Sequence, residues 1–396
     1  MRQRSGQSSR SCFCCLGQRA LPNLELWRIP CVHSILWLTL TGLLASPLFA
    51  QFAEGSWKTD TAKRKIELSE LVKGGPPKDG IPSIDRPRFV PVDTVEWLSD
   101  SEMVIAITLG EQSRAYPLRI LMWHELVNDQ IDETQVLVSY CPLCNSAIVF
   151  DRRLSGRILE FGVSGMLRNS DMVMYDRQTD SLWQQITGEG IVGAHSGMTL
   201  RILPSQMISF AEYRRAYPKG AVLSKETGFA RDYGRNPYQG YEFGSGPIMP
   251  VKQLRKNPLR PMERIVVLRD GKGYRAYPMK QIAKRRVVET ELNGERLVIL
   301  YSPDGASPVD NRDMTKSRAT GTIGVFRAEI DGSRVTFQEK NGEVEDRETS
   351  SRWNVSGLAV AGKREGQRLR PVTHGVYFAF AWLAFEPDTQ IARDNP

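Results

Sequence analysis

Two cysteines separated by two residues are the most reactive pattern in this sequence. Cys141 and Cys144 form a CPLC motif, and Asn145 follows it. Such a pair can supply two thiolates to one metal ion, form a reversible disulfide, or attach a c-type haem. Haem attachment requires a histidine directly after the second cysteine, so Asn145 argues against it. Soft thiolate ligands favour copper or zinc as the bound metal.

Two histidines are the candidates for completing a metal site, because one thiol pair is only half of a tetrahedral coordination shell. His124 lies ahead of the motif in an apolar segment with helical spacing, and His195 lies in a Gly-Ala-His-Ser-Gly sequence. An alternative for His124 is a hydrogen-bonded residue of the core. The first hypothesis is therefore a copper or zinc site formed by Cys141, Cys144, His124 and His195.

Two other functions are compatible with the same cysteine pair. One is a thiol–disulfide oxidoreductase that acts on extracytoplasmic proteins through Cys141 and Cys144. The motif, however, lies between two strand patterns, whereas redox CxxC motifs begin a helix whose dipole lowers the thiol pKa. The other is a non-catalytic module that binds a small molecule or a protein partner. The sequence contains no Walker loop, GxSxG, HExxH or GxGxxG in a usable context, and it identifies no reaction.

The segments around the motif alternate between strand and helix patterns. Residues 103–109 and the run through Tyr116 predict a hairpin that turns at Gly110. Pro117 opens a segment with helical spacing. Strands are predicted at 135–139, 146–150, 158–163 and 172–176, and helices at 118–126, 207–216 and 374–385. The predicted fold class is α+β and strand-dominated, with two tandem similar units.

The two units are inferred from an internal repeat. Residues 102–146 align without gaps on residues 263–307, and both stretches contain an RAYP motif. Downstream, DRQTDSLW at 176–183 matches DRETSSRW at 346–353. Matches in the same order indicate duplication rather than chance.

The second copy lacks the residues that could do chemistry. A residue that belongs to a single site can be lost from one copy, whereas a structural residue should persist in both. The site is therefore predicted in the first copy. The alignment places Ser302, Gly305 and Arg285 opposite Cys141, Cys144 and His124.

The composition is that of an ordinary folded protein. The chain has 396 residues, of which 41% are hydrophobic and 25% charged, which excludes a disordered, collagen-like or coiled-coil protein. One stretch alone, residues 34–50, is apolar enough to approach a membrane span, so a polytopic membrane protein is excluded. Residues 1–50 carry five arginines and one acid, hence +4 of the formal +8. The remaining chain shows no basic-aromatic run suited to nucleic acid.

The N-terminal residues resemble a secretory signal peptide. Upstream arginines, a short apolar run and small residues near Ala50 predict cleavage there and export to the periplasm or beyond, leaving no membrane span in the mature chain. An uncleaved anchor is the alternative. The predicted organisation is a signal peptide at 1–50, a polar approach at 51–87, a first unit carrying CPLC at 88–215, an ordered Gly/Tyr/Pro-rich connection at 216–248, a second unit at 249–386 and a tail at 387–396.

Three segments together resemble a known family. They are WHELVND at 123–129, YCPLCNSAIVFDR at 140–152 and SGMLRNSDMVMYDRQTDSLWQQ at 164–185. The chain resembles the DUF3179 proteins, an exported bacterial and archaeal domain of unknown function. The resemblance covers most of residues 65–245, and the second unit is a weaker copy. It implies an exported protein with this arrangement and supplies no reaction, substrate or cofactor.

Overall fold

Strands contain most of the regular structure in the part of the chain that the structure describes. A computed structural model describes residues 57–244, 246–252 and 256–392. Several sheets and only short helices are present in these residues, which confirms the prediction of a strand-dominated fold. The predicted signal peptide at 1–50 and its cleavage site lie outside the described residues. No helix in the described ranges is long and apolar enough to span a membrane.

The strands up to Leu223 form three main sheets. The orders are β15-β3-β4-β16-β2, β14-β7-β6-β5 and β1-β10-β11-β12-β13, and β8-β9 form a separate ribbon. The strands are β1 Val72–Lys73, β2 Phe89–Pro91, β3 Met103–Leu109, β4 Gln112–Pro117, β5 Leu126–Ile131, β6 Thr134–Cys141, β7 Ser146–Asp151, β8 Arg153–Leu154, β9 Arg157–Ile158, β10 Phe161–Arg168, β11 Asp171–Asp176, β12 Leu182–Gln184, β13 Gly190–Val192, β14 Arg201–Leu203, β15 Gln206–Ser209 and β16 Ala221–Leu223.

The later strands also form three main sheets. Their orders are β28-β17-β18-β29, β19-β20-β21 and β24-β25-β26-β27, beside a β22-β23 ribbon. The strands are β17 Arg264–Asp270, β18 Gly273–Pro278, β19 Val287–Leu292, β20 Glu295–Ser302, β21 Thr322–Arg327, β22 Glu329–Ile330, β23 Ser333–Arg334, β24 Phe337–Lys340, β25 Glu343–Asp346, β26 Arg352–Trp353, β27 Ala359–Ala361, β28 Gly375–Phe378 and β29 Gln390–Ile391.

Within the described residues, four short α-helices lie at the ends of strands. The predicted helix at 118–126 is present but ends at His124, because Glu125 takes a positive φ of 57° that cannot continue an α-helix. Pro117 precedes its first turn, where a missing N–H is harmless. The helices are α1 Leu118–His124, α2 Phe210–Ala216, α3 Met279–Arg285 and α4 Ala379–Leu383, and single 3-10 turns cover Leu68–Glu70, Val92–Thr94 and Met314–Lys316.

Two helix predictions were wrong over their first residues. The segment predicted as a helix from 207 begins as β15, which pairs with β3, and only its second part forms α2. The segment predicted from 374 likewise begins as β28, which pairs with β17. Short apolar runs suit a buried strand as well as a helix, so the free edges of β3 and β17 decided the outcome.

The same order of elements occurs on both sides of the connection. A hairpin, a helix and a second hairpin follow one another as β3-β4-α1-β5-β6 and again as β17-β18-α3-β19-β20. The first hairpins share their register, with Ile105 opposite Tyr116 and Val266 opposite Tyr277. The main cluster of buried side chains draws residues from both series, so their cores are continuous.

Candidate functional site

The CPLC motif forms the loop between β6 and β7, as its position between two predicted strands indicated. Cys141 pairs with Ser146 at the base of this hairpin. The Cys144 N–H donates to the Cys141 carbonyl at 3.2 Å, which tightens the loop. Asn145 takes a φ of 50°, a conformation that asparagine tolerates better than most residues. The loop therefore turns both cysteine side chains towards one place in the interior.

A carboxylate meets the two thiols from a second hairpin. Asp171 is the first residue of β11, directly after a two-residue turn in which Asn169 and Ser170 both have positive φ. The Sγ atoms of Cys141 and Cys144 and one carboxylate oxygen of Asp171 all lie within 4.8 Å of one another. All three residues are buried, with 2% or less of their surface exposed. They are the one such group of potential metal ligands among the described residues.

The Asp171 carboxylate is held by one of its two oxygens. Its Oδ2 accepts hydrogen bonds from Gln184 Nε2 at 2.6 Å and from the Ile186 N–H at 3.0 Å. Its Oδ1 has no hydrogen-bond partner of ordinary geometry within the described ranges. Outer hydrogen bonds of this kind orient a ligating carboxylate in metal sites. Hydrogen bonds therefore fix Oδ2, and Oδ1 is available to coordinate a metal ion.

Burial disfavours the charged form of each of these three side chains. It raises the pKa of Asp171 to about 6, against the hydrogen bonds from Gln184 and Ile186 that lower it. Burial also raises the pKa of the Cys141 thiol, and it raises that of Cys144 well above the ordinary value with Cys141 adding to the effect. Thiol–disulfide exchange needs a thiolate, so these pKa directions disfavour an oxidoreductase. A divalent cation would supply the missing positive charge and deprotonate both thiols.

A second buried acid lies near the group. Glu125, at the end of α1, is 7% exposed, and its Oε1 accepts a hydrogen bond from the Tyr238 hydroxyl at 3.4 Å. Burial raises the pKa of Glu125 to about 8, and the charge of Asp171 contributes in the same direction. Glu125 is consequently protonated at neutral pH and stores a proton beside the thiols.

The connection covers the motif from one side. The Tyr241 hydroxyl donates to the Leu143 carbonyl at 3.0 Å, inside the CPLC loop. Just after the connection, the Met249 carbonyl accepts from Ser170 Oγ at 2.9 Å. These contacts close the site from solvent.

Strand β28 holds the motif from the other side. The Phe378 N–H on β28 donates to the Cys144 carbonyl at 3.0 Å. Asn145 Nδ2 donates to the Val376 carbonyl at 3.4 Å. The geometry of the CPLC loop therefore depends on residues more than 200 positions away in the chain.

Comparison with known proteins agrees with the motifs. A family model described as "Protein of unknown function (DUF3179)" matches residues 78–389. The chain belongs to the DUF3179 family. No curated protein and no solved structure matches the chain significantly. The DUF3179 match includes the CPLC loop, Asp171 and β28, so the whole arrangement around the thiols lies within the family domain.

In this DUF3179 protein the two candidate histidines lie outside the thiol group. His124 Nδ1 is 2.7 Å from the Pro82 carbonyl and Nε2 is 2.6 Å from the Tyr233 hydroxyl, so both ring nitrogens have partners. Burial lowers the pKa of His124, which keeps the ring neutral. His195 Nδ1 lies 3.1 Å from Asp176 Oδ2. The structure thus brings Cys141 and Cys144 together without either histidine.

Asp171 is the potential ligand that reasoning from the sequence missed. The register that aligns residue 176 with residue 346 places Asn341 opposite Asp171. The predicted repeat, extended by five residues, therefore replaces Asp171 as it replaces the cysteines, and this difference would have identified it. The Asn169–Ser170 turn ahead of a strand was the second available signal.

Proposed function

We propose that this protein binds one zinc ion through Cys141, Cys144 and Asp171. The observation that carries the proposal is the convergence of three buried ligand atoms within 4.8 Å, one of them on a carboxylate whose second oxygen is already fixed. A buried carboxylate beside two thiols costs free energy unless a cation compensates it. Three protein ligands leave a fourth position in a tetrahedral shell.

The ligand chemistry favours zinc over copper. Cu(I) prefers thiolates and thioethers, whereas Zn²⁺ accepts cysteine sulfur and aspartate oxygen together. Two thiolates and one carboxylate carry three negative charges, of which Zn²⁺ neutralises two. A monovalent ion would leave a larger uncompensated charge in a buried site. The oxygen ligand therefore supports the choice between the two metals that the thiols alone left open.

Elemental analysis of the purified protein tests the proposal. The protein should be produced without a His tag and purified without chelators, so that a bound metal is retained. We expect about one equivalent of zinc per chain. Correctly folded protein with no metal would overturn the proposal, and one equivalent of copper would keep the site but overturn the choice of metal.

Replacing Asp171 with asparagine should weaken zinc binding without unfolding the chain. An asparagine carbonyl can still accept from Gln184 and Ile186, but the negative ligand is lost. We expect the dissociation constant to rise by at least about tenfold, since even outer hydrogen-bond partners of metal ligands have effects of that size. Competition with a fluorescent zinc chelator measures the change.

Asp151→Asn is the matched control for that experiment. Asp151 is also a buried carboxylate, 5% exposed, but it pairs with Arg153 and Arg201 on β8 and β14. Its replacement should lower stability and leave the zinc dissociation constant unchanged. Equal weakening in the two variants would show that Asp171 has no specific role in zinc binding.

We also propose that the protein is exported and that residues 1–50 are removed. The arginines and apolar run of that stretch support export. Removal would leave Cys141 and Cys144 as the two cysteines of the mature chain. The intact mass of protein secreted by its host would reveal a retained leader, which would contradict cleavage.

An internal duplication is proposed as the origin of the two units. The shared order of elements supports it, as does one hydrogen-bond pattern. Trp183 Nε1 donates to Asp176 Oδ2 at 2.9 Å, and Trp353 Nε1 donates to Asp346 Oδ2 at the same distance. Superposition of the two units in an experimental structure is the check, and traces that fail to superpose would contradict it.

A further inference from the structure

A cavity of ≈470 Å³ has a lining that contains none of Cys141, Cys144 and Asp171. It is formed by the connection, the turn ahead of β17 and the first residues of α3. This volume is within the range of sites for small molecules. Its lining includes Phe243, Arg260, Met262, Arg264, Met279 and Lys280.

The base of the cavity is an ion pair whose two opposite charges neutralise each other. Arg264 Nε donates to Glu242 Oε1 at 2.6 Å, and Arg264 Nη2 donates to Glu242 Oε2 at 2.8 Å. Both residues are buried, and Ser307 Oγ also donates to the Glu242 carboxylate. The two charges of this pair balance each other, while Arg264 Nη1 has no hydrogen-bond partner within the described ranges.

The rim carries an excess of positive charge. Arg260 and Lys280 are exposed, and neither has an ion-pair partner within the described ranges. Glu263 is the remaining acid of the lining, and its Oε2 accepts from the Arg260 backbone N–H at 3.4 Å. Two cations against one acid leave one positive charge at the mouth of the cavity.

At the corresponding position of the first unit, an ion pair joins the helix to the turn ahead of the first strand. There, the Glu102 N–H donates to the Ser99 carbonyl at 3.1 Å, as the Glu263 N–H does to Arg260 at 3.0 Å. Arg119 of α1 donates to Glu102 from Nε at 2.6 Å and from Nη2 at 2.8 Å, and to the Trp97 carbonyl at 2.8 Å. These bonds tie the helix to the turn and satisfy both charges.

The second unit lacks this closure. The repeat places Lys280 at the position of Arg119. A lysine ammonium cannot form the two parallel hydrogen bonds that a guanidinium makes with a carboxylate. No ion pair joins Lys280 to Glu263 in the described part of the chain. The cation is consequently free to meet a ligand.

We propose that this cavity binds an amphipathic small molecule with one carboxylate and an apolar body. Lys280 and Arg260 bind the carboxylate at the mouth. Phe243, Met262 and Met279 contact the apolar body, and methionine side chains adapt to varied apolar shapes. The single excess positive charge matches a monoanion rather than a neutral or cationic molecule.

Octanoate is the probe that tests this site, with octanol as its uncharged match. We expect octanoate to bind the wild-type protein with a Kd below about 1 mM in titration calorimetry. Octanol should bind at least about tenfold more weakly, because a charge-assisted hydrogen bond contributes about that factor. Absent octanoate binding, or equal binding of the two probes, would overturn the proposal.

Three variants that should weaken binding, together with two controls, locate the binding site. Lys280→Gln and Arg260→Gln should each weaken octanoate binding by about tenfold, while the exposed Lys284→Gln on the same helix should leave it unchanged. Ala283→Phe should block binding of both probes by filling the cavity. Octanoate affinity that is the same in all variants would place the ligand elsewhere. Cys141→Ser should not change octanoate binding, which separates this site from the proposed zinc site.

Discussion

Replacing both Cys141 and Cys144 with serine is expected to abolish metal binding while the chain still folds. A serine hydroxyl stays protonated at neutral pH, so the variant lacks both anionic sulfur ligands. Bound zinc should fall from about one equivalent to below about a tenth. Elemental analysis after dialysis measures the change directly.

Stability provides the second measure of the same variant. A ligand that binds only the native state stabilises it by about 3 kcal/mol when its free concentration is a hundred times Kd. Zinc should therefore raise the free energy of unfolding of the wild-type protein in urea. The same addition should have no effect on the double variant.

Met174→Leu is the control for this experiment. Met174 is fully buried on the strand that Asp171 begins, and leucine conserves its volume and apolar character. This variant removes a soft sulfur atom from the strand that Asp171 begins but should keep the bound zinc. Zinc retained by the double cysteine variant would show that the thiols are not ligands. Zinc lost from Met174→Leu would show that Met174 is a ligand in addition to the three proposed residues.

Replacing Glu125 with glutamine is expected to stabilise the metal-free protein at neutral and alkaline pH. The pKa of Glu125 is about 8 in the folded protein against an ordinary 4.5, chiefly because of burial. The folded state therefore keeps a proton that the unfolded state releases. Stability falls as the pH rises from about 4.5 to about 8, by up to about 1.4 kcal/mol per pH unit.

Glutamine removes this penalty because it is neutral in both states. It can still accept from the Tyr238 hydroxyl, and it has the size of glutamate. At pH 7 the gain is on the order of 3 kcal/mol. The pKa of Asp171 is also raised, to about 6, so this residue likewise lowers stability as the pH rises from about 4 to about 6. The difference between the wild type and Glu125→Gln isolates Glu125 from that contribution.

Urea unfolding at pH 5 and pH 8 in the presence of a chelator measures the effect. The wild type should lose stability relative to Glu125→Gln between these two pH values. Glu226→Gln, at an exposed carboxylate in the connection, should follow the wild type. Parallel pH profiles for the wild type and Glu125→Gln would show that Glu125 ionises normally in the fold.

The local sequence predicted the setting of the site well. Turn and strand patterns placed CPLC between two strands because alternation and β-branched residues carry that information within a few positions. They could not place Asp171 beside the thiols, since β11 reaches the motif through sheet packing. The apolar residues at 374–378 read as helix because the edge of β17, which pairs with them, lies more than 100 positions earlier.

The two predicted histidine ligands show what residue type and spacing cannot determine. His124 and His195 have the right chemistry and lie in the right unit, but their nearest partners are Pro82, Tyr233 and Asp176. Which polar groups meet in a core is decided by the packing of several sheets. Residue type and spacing along the chain do not contain that information.

Tyr241 and Met249 cover the thiol group. This cover determines at which stage a metal ion can enter. With the thiols buried, an ion reaches them before the connection closes or after a rare local opening. On the proposed function, metal loading accompanies folding, and the bound ion then exchanges slowly through local opening. The metal found in the protein would record the ions present where the chain folded, and later changes in the surroundings would alter it only as fast as the connection opens.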